Sequence, residues 1–320
     1  MPSELLATVR VSQLPKWVAI APDGSRAYAT LDGQANPASG AVAVIDTQSN
    51  SLVTAIGVGP FPSGVVIAPD DSRAYISSSG TGGGPGLVNV IDTGAGAVIA
   101  RVPVGTAGSR PSGIAITPSG SHLYVASSAG LADGPGTVNV IDTASGTVVA
   151  AIPGNPFPST VTMTPDGAFA YVLDTEGNPQ VIDTMTHEST FPLERVIDGT
   201  GRIAFAPDGL LAYVGGEGIG EIDVLDVGGN KVVGAIDVFG GLTTDLAVAP
   251  GGQRVYAAQR SGEAPIEGVR VIDTGGRKVT GSPITWSGSA DGIAITPDGR
   301  RAYVSDRHSS AIQVIDLPAA

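Results

Sequence analysis

Cysteine is missing from all 320 residues, which removes disulfides, thiolate nucleophiles and cysteine-held zinc or iron-sulfur centres. Positive charge is scarce. Seventeen Lys and Arg face 30 Asp and Glu, a formal net charge of -13, which argues against binding to nucleic acid by counterion release and to an anionic membrane surface. Only three histidines are present, so there is little material for a multi-histidine metal centre. No apolar run approaches the roughly 20 residues of a membrane span. The opening "MPSELLATVRVSQLP" has neither a basic leader nor a signal-length apolar core. The expectation is a soluble, cytoplasmic protein. Helix-forming runs are lacking too, and 46 glycines with 24 prolines point to short strands joined by tight turns.

What the chain does contain is a repeat, with units of the form "PSGVVIAPDDSRAYISSS" followed by "LVNVIDTGAGAVIARVPVG". A proline recurs at Pro22, Pro69, Pro118, Pro165, Pro207, Pro250 and Pro297, and six residues after each stands a tyrosine: Tyr28, Tyr75, Tyr124, Tyr171, Tyr213, Tyr256 and Tyr303. These are all seven tyrosines of the protein. Each unit then reaches an aspartate after Ile or Leu, at Asp46, Asp92, Asp142, Asp183, Asp226, Asp273 and Asp316. Alternating apolar positions in "GVVIAP", "RAYISS", "LVNVID" and "AVIARV" give four strands per copy, a to d. Seven copies of four antiparallel strands predict an all-β, seven-bladed β-propeller formed as one domain over residues 1–320. The last copy ends at "AIQVIDLPAA" without a strand d, and "LLATVRV" at the start looks like one, so the N-terminal strand is expected to complete the last blade and close the ring.

The motifs "TPDGRRAYVS" and "VNVIDT" resemble the YVTN-type seven-bladed β-propeller family over essentially the whole chain. The resemblance implies the fold. It leaves function open, because that family includes surface-layer proteins, a single-strand DNA binder and cofactor-bearing redox subunits, and related propellers include lactone-cleaving lyases.

Spacing separates scaffold from opportunity. Proline to tyrosine never varies, whereas tyrosine to the Ile-Asp aspartate runs 18, 17, 18, 12, 13, 17 and 13. Length freedom therefore lies in the b-to-c loops, which share a face with the d-to-a loops, and loops on a rigid scaffold carry function. The Ile-Asp aspartates, and Asp23, Asp70, Asp166, Asp208 and Asp298, are explained by turn chemistry. His122 and His187 fall on the opposite face, away from His308.

Departures from the repeat remain. Five residues before each repeat proline stand Trp17, Gly64, Gly113, Thr160, Arg202, Asp245 and Gly292, and Lys16 and Asp291 stand one place earlier in blades 1 and 7. Asp306, Arg307 and His308 replace the serines of blades 2 and 3. Trp286, Glu217 and Arg260 lie on the same predicted face. The expected site sits at the central channel mouth, with Trp17, Asp245, Trp286, Glu217, Arg260 and Arg307 contacting a small-molecule ligand. For chemistry of a proton-transfer type (lyase, isomerase, cyclase or lactone opening), His308 would be general acid or base, Asp291 or Asp306 its orienting carboxylate, and Lys16 or Arg202 the stabiliser of a developing anion. The alternatives are an ion-paired plug of the channel and a noncatalytic protein-interaction scaffold. On this face Lys16, Arg110, Arg202, Arg260 and Arg307 are outnumbered by acids, a poor phosphate track. No metal site or cofactor is predicted, although the acidic loops have the oxygen ligands of a Ca²⁺ or Mg²⁺ site.

Overall fold

A computed structural model describes residues 3–33, 39–80, 83–129, 135–190, 201–216, 220–239, 241–260 and 267–318. Its strands form seven four-stranded antiparallel sheets in a ring, a seven-bladed β-propeller, and the described residues include no α-helix. Blade 1 comprises Leu14–Ile20, Arg26–Asp32, Ala41–Asp46 and Ser51–Gly57. The later blades repeat this order, strand a lining the axis and strand d the circumference. In blade 4 the described part of strand d is Glu188–Ser189.

The ring closes as expected. Glu4–Arg10 pairs antiparallel with Ala311–Asp316, Leu5 opposite Ile315 and Val9 opposite Ile312, and the Thr8 hydroxyl donates to Gln313 at 2.7 Å. Val9 and Val11 then pack in one cluster with Tyr303 and Ile312 of blade 7 and with Ala29 and Ile45 of blade 1.

Apolar content follows depth. Strand b is buried nearly throughout, as in Ala27, Tyr28, Ala29 and Leu31, because both faces of a blade pack against neighbours and the strand reads as continuous hydrophobic sequence. Strand d keeps one apolar anchor turned inward: Val9, Ile56, Val102, Ile152, Ile236 and Ile284 are all buried, while Leu52 and Val53 beside Ile56 are exposed.

The repeat tyrosine is buried in every blade, and in blades 3, 4 and 7 its hydroxyl ties the blade to the next. Tyr303 Oη donates to Asn50 Oδ1 at 2.6 Å, Tyr171 Oη to Asn230 Oδ1 at 2.5 Å, and Tyr124 Oη meets His187 Nδ1 at 2.7 Å, each partner lying in the c-to-d turn of the following blade. An arginine two residues earlier does the same: Arg73 reaches the Thr143 carbonyl and Arg254 the Pro318 carbonyl. A glycine in the a-to-b turn, such as Gly24 at φ +73°, lies against the preceding blade's proline, here Pro297. A side chain there is disfavoured by backbone conformation.

Candidate functional site

The sequence places a register irregularity inside strand a of most blades. Pairing is interrupted between Pro15 and Val18, Pro62 and Val65, Pro111 and Ile114, Pro158 and Thr160, and Thr243 and Asp245. Bulges of this kind re-aim side chains, and here they lie at the positions five and six residues before the repeat proline. A hydroxyl on strand b holds the bulge in several blades. The Gly292 amide donates to Ser305 Oγ at 2.7 Å and Ser305 Oγ donates to the Lys16 carbonyl at 2.8 Å, while the Gly64 amide and the Ser112 carbonyl are joined in the same way by Ser77. Ser305 therefore stitches blade 7 to blade 1.

The bulges surround a central cavity of about 190 Å³ to which all seven blades contribute. Val18, Val65, Ile114, Val161, Ile203, Leu246 and Ile293, each four residues before its proline, form an apolar collar. Trp17, Thr160, Arg202 and Asp245 add the side chains that break the pseudo-symmetry. Blades 2 and 3 have glycine at this level for a steric reason: a Cβ on Gly64 would stand 2.8 Å from the Ser112 carbonyl, and one on Gly113 2.6 Å from the Val161 nitrogen. Their inner strands touch the next blade, and the larger side chains that line the cavity come from blades 1, 4, 5 and 6.

Arg202 and Trp17 meet across the channel, the guanidinium carbon 4.5 Å from the indole centroid, a cation–π contact strengthened by exclusion from water. Arg202 also donates to the Gly201 carbonyl at 2.9 Å. Asp245 accepts the Leu246 and Ile293 amides, both at 2.9 Å. Burial raises its pKa to about 6, although Arg202 and the two amides work in the opposite direction. The carboxylate borders the small cavity but lies deep below the outer surface, so desolvation dominates.

Above this layer, Lys16 Nζ donates to Ser63 Oγ at 3.1 Å. Burial lowers the Lys16 pKa, and the nearby cations Arg307 and Arg202 lower it further, against the pull of Asp32. Arg307 pairs with Asp32 and Arg260 with Asp291, each at 4.0 Å. Ser289 connects the rim, donating to Asp291 Oδ2 at 2.6 Å and accepting the Arg307 amide at 3.2 Å.

The tertiary structure thus brings Trp17, Arg202 and Asp245 to one cavity, with Lys16 and Arg307 close by and Asp291 and Arg260 joined at the rim. Three expected members take other places. Asp306 is fully buried, its Oδ1 accepting the Ser289 and Ser309 amides and its Oδ2 the Gln313 amide group. It is a loop clasp, and Asp174 repeats that role in blade 4 by accepting the Glu176 and Asn178 amides. Trp286 packs into the core between blades 6 and 7 with Ile284, Ala290 and Ile293, because its loop folds inward. His308 is exposed on the hairpin tip. Glu217 lies outside the described residues. No group of three or more His, Asp or Glu side chains forms a metal cage among the described residues.

The structure adds features that repeat subtraction does not reveal. Phe61, Phe157 and Phe239 are 45%, 58% and 56% exposed on the d-to-a loops of this face. Their φ angles of +46°, +55° and +59° are unusual for bulky residues. The signal was the aromatic between prolines in "GPFPSG" and "NPFPST". On the opposite face His122 and His187 meet, ring centroids 5.3 Å apart.

No protein-family profile matches the chain, and no curated protein matches it. Among solved structures, one titled Kuenenia stuttgartiensis hydrazine synthase is similar over 97% of this chain and 97% of its own, with a TM-score of 0.80 and 19% sequence identity. Identity at that level speaks for the shared propeller fold alone.

Proposed function

We propose that the channel mouth binds a small anionic molecule with an apolar part. The observation that carries this reading is Arg202 stacked 4.5 Å from Trp17 above an apolar collar in a cavity of about 190 Å³. That volume is below the roughly 300 Å³ at which drug-sized pockets begin, so the ligand is a few-carbon metabolite or one end of a longer one. Lys16, Arg202 and Arg307 repel one another, and a carboxylate among them relieves that repulsion. If chemistry follows, it is proton transfer of the lyase, isomerase, cyclase or lactone-opening type. Asp245, with a pKa of about 6, is suited to exchange a proton near neutral pH. Lys16 and Arg202 would stabilise the developing anion, and His308 stands at the entrance, away from the reacting atoms.

The test is a thermal-shift screen of small carboxylates and their neutral isosteres, followed by calorimetric titration of Arg202→Ala, Trp17→Ala and His308→Ala. Loss of at least about tenfold in affinity is expected for the first two and none for the third. Unchanged ligand-dependent shifts in Arg202→Ala would sink the reading.

A second reading, a protein-interaction platform on the same face, draws support from Phe61, Phe157 and Phe239. Exposed aromatics held in costly backbone conformations fit the anchor role that aromatic residues play at interfaces. Both roles are compatible with the kinship that the YVTN-type motifs suggest.

A further inference from the structure

A second pocket lies far from the channel, on the turn-bearing face between blades 4 and 5. Its volume is about 560 Å³, within the range of small-molecule sites. The repeat explains why it opens here. At the start of strand b, blades 1, 2, 6 and 7 have Arg26, Arg73, Arg254 and Arg301, each reaching a main-chain carbonyl of the next blade. Grooves that contain such an arginine are smaller, about 260 Å³ at Arg73 and about 60 Å³ at Arg254. Blade 4 has Phe169 at this place.

A second clasp is also missing. The threonine after the Ile-Asp aspartate donates to the a-to-b turn of its own blade, as Thr143 does to the Gly120 carbonyl at 2.6 Å and Thr184 to the Gly167 carbonyl at 2.6 Å. Blade 5 has Val227 instead. With arginine and threonine replaced by Phe169 and Val227, the groove gains an aromatic and aliphatic wall. Tyr171 extends this wall, its hydroxyl already bound to Asn230 and its ring edge-on to Phe205 at 5.1 Å.

The charge at the rim did not change with the wall. Asp166 and Asp208 line the groove, and among the described residues no Lys, Arg or His does, whereas the grooves at Arg73 and Arg254 pair an aspartate with a cation. One oxygen of each is used locally: Asp166 Oδ1 accepts the Thr164 hydroxyl and the Ala168 amide, and Asp208 Oδ1 accepts the Leu210 amide. These contacts orient the carboxylates, and the Thr164 hydroxyl holds the Asp166 pKa below the usual carboxylate range.

We propose that the groove between blades 4 and 5 binds a small organic cation, an amine or quaternary ammonium carrying an apolar or aromatic body. The body lies against Phe169, Tyr171 and Val227, and the cation takes the place of the arginine head group found in four other blades, beside the aromatic rings and facing Asp166 and Asp208. This site is independent of the channel.

The experiment is calorimetric titration with phenethylamine, 2-phenylethanol and 3-phenylpropionate, which share a phenyl body and differ in charge, with choline as the quaternary probe. Phenethylamine is expected to bind at least about tenfold more tightly than the alcohol or the acid. Phe169→Arg restores the residue that the fold accepts in four blades, and it should abolish binding with no loss of melting temperature. Asp208→Asn should weaken the amine about threefold and reduce its salt dependence, and Trp17→Ala should change nothing. Equal affinity for amine and alcohol, full affinity in Phe169→Arg, or no binding of either cation up to about 10 mM would each overturn the proposal.

Discussion

The two faces of the ring use the same backbone differently. On the turn-bearing face one residue recurs around the ring, a buried tyrosine in every blade, and Tyr171 and Tyr303 reach asparagines in the next blade's turn. On the loop-bearing face the equivalent blades present Trp17, Arg202 and Asp245 to a single cavity, and no two are alike. Such packing is needed at every interface, because each blade buries its apolar surface only against its neighbours. The channel makes no such demand. A side chain placed there costs or contributes stability once, so residues at that level are free to differ. The exceptions are blades 2, 3 and 7, where a Cβ on Gly64, Gly113 or Gly292 would run into the backbone of the next blade.

Three measurements would break or sharpen this contrast. The largest effect belongs to the turn-bearing face. Tyr303 is fully buried, so Tyr303→Ala should cost about 3–5 kcal/mol in denaturant unfolding, and Tyr303→Phe about 1 kcal/mol for the lost hydrogen bond. A loss of under about 1 kcal/mol for the alanine variant would mean that the interfaces do not depend on the repeat.

Asp245 should show an effect of opposite character. Its folded pKa of about 6 exceeds the unfolded value of about 3.9, so the native state retains a proton that the unfolded chain gives up. The resulting penalty is absent below about pH 4, grows through the interval and is complete above about pH 6, reaching about 3 kcal/mol. Carboxylates whose pKa is lowered by turn amides, such as Asp183, contribute the reverse trend. The informative quantity is therefore the difference between wild type and Asp245→Asn. Wild type should lose ground to the variant as pH rises from 4 to 7, and a pH-independent difference would contradict the burial argument.

The smallest effect is expected at the loop-bearing rim. Phe61 holds φ +46°, a conformation that glycine adopts readily. Phe61→Gly should leave stability within about 1 kcal/mol of wild type, tending upward. A clear loss would show that this exposed ring packs against something essential to the fold.

Much of the architecture was legible because the signals were repeated. The spacing of proline, tyrosine and aspartate marks blade number and turn positions, and the resemblance of "LLATVRV" to the other outer strands anticipates ring closure. The lining of the central cavity was legible in part. Comparison of copies picked out Trp17, Arg202 and Asp245, since the repeat tells which residue ought to stand at each place. It misjudged Asp306 and Trp286. A buried carboxylate that holds a loop and a catalytic one depart from the repeat in the same way, and an indole turned into the core looks, in sequence, like one turned toward a ligand. Phe61, Phe157 and Phe239 escaped notice because exposure and a left-handed backbone are not written in residue type.

Sequence alone determined the periodic part of this protein, because apolar alternation and turn chemistry are local and seven copies reinforce one another. Tertiary structure decided which irregular residues meet. Trp17 and Arg202 come from blades 1 and 5 and touch at 4.5 Å, and Phe169 and Val227 open a groove through the absence of clasps that other blades supply. Such encounters depend on ring closure and on the bulges that re-aim strand a, so they are set by distance in space, which residue order does not encode locally.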